Sequence, residues 1–376
     1  MSVARATILY EWRRYLPAVL SVAFAGVLIL IQSGLIFGIF AATSVYMRAS
    51  RADLWAGYPN VQSVDLGHAV PPNTEVLLYS NPHVRNVEPL AWGSGEWRTS
   101  SHGVVNVYIV GLDAGASGMA LSQIVSRDER TLLLESGTIL IDAADQEKLG
   151  VKVGDWVEIN GQRVRVVGLT QGLRGLGGVN VVASLATAGR IDPDSRPADG
   201  GAAFYLAELD SGASANTVAR DLNLTGARRG FEVLTAKAFA RRSSSFYLFD
   251  SGAGVAFLFG CAMSVFVAIV ITSQMLGAVV AGHIKEFAAL RALGISLKSI
   301  RAIVLEQAMW IGLGGAVIAI VCTLILVVLA WLIDVPIALS LLLTLLGSAL
   351  IFLVAITSGA IALRPLTQSD PASLLT

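Results

Sequence analysis

The sequence predicts a membrane α-helical protein with four transmembrane helices and a large extracytoplasmic α+β domain inserted between helices 1 and 2. Its 376 residues are 54% hydrophobic and only 14% charged, whereas an ordinary soluble domain carries about 25% charged residues. Four stretches contain no Asp, Glu, Lys or Arg and are longer than the roughly 20 residues that a helix needs to cross the hydrocarbon core. These stretches are 15–47, 251–282, 307–333 and 335–363. The polar region between the first two is long enough to form its own core.

The first apolar stretch is predicted to stay in the mature protein as a membrane anchor. It follows a basic segment, as a signal peptide does, but the apolar part of a signal peptide is only about 7–15 residues long. Ahead of it, Ile8 and Trp12 are interspersed with Arg5 and Glu11. This pattern favours a helix lying along the inner leaflet, and a short frayed tail is the alternative.

The polar insert is predicted to mix strands and helices. Val157 and Ile159 alternate with polar residues up to Asn160-Gly161, a pair that tolerates the two positive φ angles of a type I′ turn, so a hairpin is expected. A strand over 138–141 and a helix over 143–149, ending at Gly150, precede it. Segments 202–206, 213–222 and 231–234 form a β-α-β unit. A helix over 236–248 then leads toward the second span, so that continuous helix would join the domain to the membrane helices.

Nothing in the insert indicates catalysis or a metal. The four histidines, His68, His83, His102 and His283, show no zinc-ligand spacing, and no Gly-x-Ser-x-Gly or Walker A sequence is present. The glycine-rich segment 173–178 is interpreted as a flexible loop. Asp142, like the nearby acidic residues, is interpreted as a solvated helix charge.

The charge distribution sets the expected topology and excludes nucleic acid. Lys and Arg accumulate on the cytoplasmic side of membrane proteins. They lie before the first span, between the second and third, and after the fourth, at Arg5, Arg13, Arg14, Lys285, Arg291, Lys298, Arg301 and Arg364. Both termini are therefore expected in the cytoplasm and the insert outside, although Arg48, Arg51, Arg241 and Arg242 oppose this slightly. A net charge of zero and the lack of a basic cluster give no reason to expect nucleic acid.

These observations divide the chain into eight predicted segments. They are a cytoplasmic amphipathic segment 1–15, helix 1 at 16–47, the extracytoplasmic domain 48–250, helix 2 at 251–282, a cytoplasmic coupling loop 283–305, helix 3 at 306–333, helix 4 at 337–363 and a cytoplasmic tail 364–376.

The loop after the second span is the candidate functional site. Strong helix formers run to Gly294, a natural helix end, and a second helix is expected to start near Ser296. A cytoplasmic protein can grip such a loop, and a solvated connector explains it equally well. The candidate coupling residues are His283, Lys285, Glu286, Phe287, Leu290, Arg291, Leu293 and Gly294. In the first span, Gly34 and Gly38 form a small-xxx-small pair that suits either a dimer contact or packing within the chain.

At this loop the chain resembles a known family. The layout of four spans, together with Glu286-Phe-Ala-Ala-Leu-Arg-Ala-Leu-Gly294, resembles ABC transporter permeases of the FtsX/MacB superfamily. Gln274-Met-Leu276 and His283 make it most similar to DevC-type exporter permeases. Asp370-Pro-Ala-Ser-Leu374 resembles the usual C-terminal ending, and the 151–168 hairpin resembles a MacB periplasmic core domain. The match is looser at Gly282 and Ile284–Lys285, and Arg291 stands where Lys is frequent.

The resemblance implies a permease subunit of the inner membrane that works as a homodimer among membrane lipids. It implies a separate ABC ATPase that binds ATP and Mg, because this chain has no Walker A sequence and is not itself the ATPase. A HlyD-type adaptor and a TolC-like outer-membrane protein are the further partners implied, with a lipid or amphipathic cargo. The alternatives are an FtsX-like mechanotransmitter that regulates a cell-wall hydrolase and a lipoprotein-releasing permease.

Overall fold

The structure, a computed structural model, describes residues 7, 8, 10–98, 103–115, 118–175, 178–197, 200–283, 295–332 and 341–362. Two compact units make up the chain. One contains residues 1–38 and 253–376, and the other contains residues 39–252.

The first unit is built from long apolar helices, and four helices of the described chain are long and apolar enough to cross a membrane. The sequence-based prediction of four membrane helices is therefore confirmed. The helices are α1 at Trp12–Thr43, whose last residues belong to the second unit, α9 at Ala253–Gly282, α10 at Leu297–Leu332 and α11 at Leu341–Ala362.

Small residues bring these helices close together. A Cβ on Gly26 of α1 would lie 2.7 Å from both the Ala319 Cβ of α10 and the Ile351 Cδ1 of α11. Only glycine fits at this position. In a membrane, lipid removes the hydrophobic driving force for association, and small residues let helix backbones approach closely enough to pack. A side-chain hydrogen bond joins α1 to α9, with Gln32 Nε2 donating to Ser264 Oγ at 3.3 Å.

The second unit is the predicted α+β domain, and it lies in the chain between the first and second membrane helices, as expected. Its short helices are α2 at Val45–Ala49, α3 at Asn73–Tyr79, α4 at Arg127–Leu132, α5 at Gln146–Leu149, α6 at Leu185–Ile191, α7 at Ala215–Arg229 and α8 at Ala236–Ser245. Its strands are β1 at Leu54–Gly57, β2 at Val84–Arg98, β3 at Val104–Leu112, β4 at Thr138–Asp142, β5 at Trp156–Ile159, β6 at Gln162–Thr170, β7 at Val179–Ser184, β8 at Phe204–Leu209 and β9 at Glu232–Thr235.

The long strand β2 belongs to two parts of the sheet. Residues 84–90 pair with β8, which continues through β1 to β9. Residues 91–98 pair with β3, and the order β3-β7-β4-β6-β5 returns to β2 through Trp97 and Arg98, so these strands close on themselves. Because β8 and β9 are both antiparallel to β1, they are parallel to each other, and β8-α7-β9 is the predicted β-α-β unit with β1 inserted between its strands.

The hairpin predicted from Asn160-Gly161 is confirmed. Trp156 pairs with Arg165 and Ile159 with Gln162 across the turn. Asn160 has φ 51° and Gly161 has φ 75°, as a type I′ turn requires.

Asp142 corrects an expectation, because it is a buried structural residue and not a solvated charge. Its side chain accepts hydrogen bonds from Ala144 N at 3.1 Å and Leu173 N at 2.8 Å, and the residue is 2% exposed. A carboxylate is stable in such a place because backbone donors replace its lost water. The start of the glycine-rich loop is thus tied to the end of β4.

The expectation of continuous helix between the domain and the membrane helices is wrong. Helix α1 ends at Thr43, and Ser44 bonds back to the carbonyls of Phe40 and Ala41 before α2 begins; such back-bonding bends helices. Helix α8 ends at Ser245 and is followed by a π-helical turn, Phe246–Asp250. Gly252 then adopts φ 79°, a left-handed conformation that ends helical runs.

Candidate functional site

Residues 284–294 of the predicted coupling loop lie outside the part of the chain that the structure describes. Of its eight candidate residues, only His283 is described. The other seven are Lys285, Glu286, Phe287, Leu290, Arg291, Leu293 and Gly294. Their assignment to ATPase coupling stays a prediction.

His283 is held at the C-terminal end of α9. Its backbone N donates to the carbonyls of Val279 and Val280, so it completes the last turn. Its Nε2 lies 3.1 Å from Glu11 Oε2 and 3.3 Å from Arg14 Nη1, and the residue is only 4% exposed. Glu11, just ahead of α1, and Arg14, in the first turn of α1, therefore contact the first residue of the predicted loop.

A second cluster joins the end of α1 to α8 and to the π-helical turn that follows α8. In the sequence, these segments link the domain to the membrane helices. We call Thr43, Ser63, Asp65, Ser243 and Tyr247 the helix clamp. Ser243 Oγ lies 3.0 Å from the Thr43 carbonyl oxygen and 2.9 Å from Ser63 Oγ. Its single proton can be donated to only one of these acceptors at a time. Ser243 is fully buried, so losing its hydroxyl would leave the Thr43 carbonyl oxygen without this donor.

Asp65 extends the clamp to the π-helical turn. The Ser63 hydroxyl donates to one Asp65 carboxylate oxygen, and the Tyr247 hydroxyl donates to the other. Burial, followed by this hydrogen bond and the carboxylate charge, raises the pKa of Tyr247. The phenol therefore stays protonated and remains a donor at physiological pH.

Helix α2 is anchored in the domain core by Tyr46. Its ring packs edge-on against Trp92, with the centroids 4.9 Å apart, and its hydroxyl donates to Asn180 Oδ1 at 2.6 Å. Tyr46 is 5% exposed. Burial, the largest effect, raises its pKa well above the usual value, so this hydroxyl also stays a donor.

Helix α8 is anchored in the same way by Phe239. Its ring centroid lies 5.7 Å from that of Trp55 and 5.6 Å from that of Phe204. All three side chains are at most 2% exposed. Aromatic pairs at such distances contribute about 0.5–1.5 kcal/mol beyond the area that they bury.

A bidentate ion pair fixes α8 to the edge strand β9. Arg242 donates from Nη1 to Glu232 Oε2 at 2.8 Å and from Nη2 to Oε1 at 2.7 Å. Asn60 N also donates to Glu232 Oε2. The hydrogen bond from Arg242 is the largest of the effects that lower the pKa of Glu232.

Together these contacts form one connected set within the second unit. They join the end of α1 to α8 and α8 to β1, β8 and β9. Helix α2 is joined to β2 and β7 through Tyr46. These contacts were not predicted from the sequence. One signal was present: Phe239, Ser243 and Tyr247 recur every four residues and therefore share one helix face.

The remaining candidates in the membrane helices are small residues. Gly34 and Gly38 are buried within the single chain, and their part in a dimer stays a prediction. Among the residues that the structure describes, no group of three or more His, Cys, Asp or Glu is arranged to hold a metal ion.

Comparison with known proteins gives two family matches. Residues 18–224, more than half of the chain, match the MacB-like periplasmic core domain. Residues 258–371 match the FtsX-like permease C-terminal family. No curated protein matches the chain significantly.

Several solved structures are similar to about half of the chain. The periplasmic region of MacB from Actinobacillus actinomycetemcomitans has 10% identity and a TM-score of 0.37, with 52% of this chain and 94% of that one covered. The extracellular domain of the noncanonical ABC-type transporter YknZ from Gram-positive bacteria has 14% identity, a TM-score of 0.36, and coverage of 49% and 100%. A domain of a permease protein from Porphyromonas gingivalis has 12% identity, a TM-score of 0.34, and coverage of 50% and 91%.

Proposed function

The chain belongs to the family with a MacB-like periplasmic core domain, here followed by an FtsX-like permease C-terminal region, and we propose that it is the permease subunit of a DevC-like ABC exporter. In this proposal a separate ATPase hydrolyses ATP, and the permease transmits the resulting motion to its outer domain. The outer domain then expels a lipid or amphipathic substrate with the help of a HlyD-type adaptor and a TolC-like outer-membrane duct.

The helix clamp is the observation that supports this proposal. Ser243 joins the carboxyl end of α1 to α8, and Tyr247 joins the π-helical turn to Asp65. Tyr46 of α2 and Phe239 of α8 are buried in the domain core. A connection held by core packing and buried hydrogen bonds is stiff enough to pass on a displacement, which a mechanically driven domain needs.

ATP binding and hydrolysis belong to the partner ATPase in this proposal. The predicted coupling loop, 283–305, would dock on the ATPase, with both chain termini on the same cytoplasmic side. Two copies of the chain would act together, each with its own ATPase subunit. ATP and Mg are therefore cofactors of the complex and not of this chain.

Cross-linking the tagged chain in native membranes, followed by affinity purification and mass spectrometry, tests the proposal. Recovery of an ATPase together with a HlyD-like adaptor is the expected result. Recovery of an ATPase with a cell-wall hydrolase and no adaptor would indicate a mechanotransmitter instead of an exporter. An ATPase with a lipoprotein carrier would indicate lipoprotein release, and the absence of any ATPase would overturn the proposal.

A further inference from the structure

Four residues at the end of α9 form a compact contact that we call the N-terminal latch: Glu11, Arg14, Gly282 and His283. His283 is 4% exposed and lies against the carboxylate of Glu11 and the guanidinium of Arg14. Glu11 and Arg14 also contact each other at 3.4 Å. The chain therefore brings an acid, a base and an imidazole together at the start of the predicted coupling loop.

The imidazole has a partner in either neutral tautomer. With a proton on Nε2 it donates to Glu11 Oε2 at 3.1 Å. Without that proton, Nε2 accepts from Arg14 Nη1 at 3.3 Å. The position of His283 is thus held whichever ring nitrogen carries the proton.

Gly282 lets Arg14 cross the last turn of α9. A Cβ built on Gly282 would collide with the Arg14 guanidinium. The guanidinium therefore lies directly on the backbone at the carboxyl end of a 30-residue helix. A cation is stabilised there, because the helix macrodipole makes this end partly negative. The contact needs both the arginine and the missing side chain.

We propose that Glu11 and Arg14 are positioning residues of the coupling loop. By fixing Gly282 and His283, they hold the end of α9 at which the predicted coupling loop begins. The latch thereby controls how well ATP hydrolysis is coupled to the permease, and not whether the ATPase binds. This inference rests on the proposed function, because it takes the loop as the ATPase contact.

A pair of glycine variants in the same helix tests the latch. Gly282→Ala drives a methyl group into Arg14, whereas Gly277→Ala is a matched control because a Cβ there meets no atom within 4 Å. Both variants replace a glycine of α9 by alanine, Gly277 within the helix and Gly282 at its last residue. In nanodiscs, with the ATPase that copurifies with the chain, two quantities are measured: the ATPase bound per permease and the rate of ATP hydrolysis.

The latch predicts that Gly282→Ala slows hydrolysis by roughly fivefold, the lower end of typical coupling between sites, with the bound ATPase unchanged. Gly277→Ala should match the wild type. Arg14→Ala should slow hydrolysis similarly. The double variant Arg14→Ala/Gly282→Ala should hydrolyse ATP at the same rate as Arg14→Ala, because the methyl group no longer meets a guanidinium. Equal rates for Gly282→Ala, Gly277→Ala and the wild type would overturn the latch while the proposed function stands. A wild-type chain that retains no ATPase would overturn both.

A second measurement examines the contact itself. The chain has four histidines, so selective isotope labelling gives a small set of imidazole resonances. Glu11→Gln should shift those of His283 and leave those of His68, His83 and His102 in place. An unmoved His283 would contradict the contact on which the latch depends.

Discussion

Ser243 Oγ lies 3.0 Å from the carbonyl oxygen of Thr43, although the two residues are 200 positions apart in the chain. Thr43 is the last residue of α1, and Ser243 lies in α8, which precedes the second membrane helix in sequence. One buried hydroxyl therefore joins the two segments through which motion would enter the outer domain. Ser63, which lies 2.9 Å from the same hydroxyl, connects this point to Asp65 and Tyr247.

Removing the Ser243 hydroxyl should loosen α8. Ser243→Ala leaves the Thr43 carbonyl oxygen without this donor in a buried site, which typically costs about 1–3 kcal/mol. Hydrogen exchange of the α8 amides in the full-length chain should speed up accordingly. Ser245→Ala is the matched control, because Ser245 is exposed on the same helix. Equal exchange in the two variants would show that the hydroxyl does not hold the clamp.

The Glu232–Arg242 pair should make the domain acid-sensitive. The folded-state pKa of Glu232 is lowered, chiefly by the hydrogen bond from Arg242. Its stabilisation is therefore present above the unfolded-state pKa of about 4.3, and it is lost as the pH falls through the lower folded-state value.

The wild type should lose more thermal stability than Glu232→Gln between pH 5 and pH 3, since only the wild type has this carboxylate to protonate. Arg242→Ala should reduce the acid sensitivity as well, and Arg241→Ala, at an exposed neighbouring position, should not. Parallel unfolding profiles for the wild type and Glu232→Gln would contradict the assignment.

Phe239 should contribute much of the stability of the α8 anchor. Truncating a buried phenylalanine to alanine costs about 3–5 kcal/mol, and Phe239 is 1% exposed between Trp55 and Phe204. Phe239→Ala should therefore lower the unfolding temperature of the purified chain markedly. Phe249→Ala is the comparison, because Phe249 is 59% exposed. Similar losses in both variants would mean that burial in the core is not what fixes α8.

Charge reversal in the coupling loop should release the ATPase. Glu286→Lys and Arg291→Glu are expected to abolish ATPase copurification while leaving membrane insertion intact. Lys237→Glu, an exposed charge change in the large domain, is the control for altered net charge. Full retention of the ATPase by both loop variants would show that the loop is not the ATPase-binding site.

Local sequence signals predicted the elements that depend on local chemistry. Asn160-Gly161 predicted its hairpin, and four charge-free stretches predicted the membrane helices. The contact between Ser243 and Thr43 could not be predicted, because nothing local to either residue indicates a partner 200 positions away. Local signals also misled at Ser44 and Gly252. Helix-forming residues on either side predicted continuous helix, but Ser44 bonds back to the preceding turn and Gly252 adopts a left-handed conformation, and each interrupts the helix.

The most direct test of the account is a distance measurement between the outer domains of two copies of the chain. Leu134 is 67% exposed in the domain, so a spin label at Leu134→Cys should not disturb it, provided that the native Cys261 and Cys322 are first replaced by serine. Electron paramagnetic resonance then gives the distance distribution in the complex with its ATPase, with and without ATP and Mg. We expect the distance distribution to shift on ATP binding and Ser243→Ala to broaden the shifted distribution. Identical distributions in a complex that hydrolyses ATP would contradict the claim that this motion reaches the outer domain.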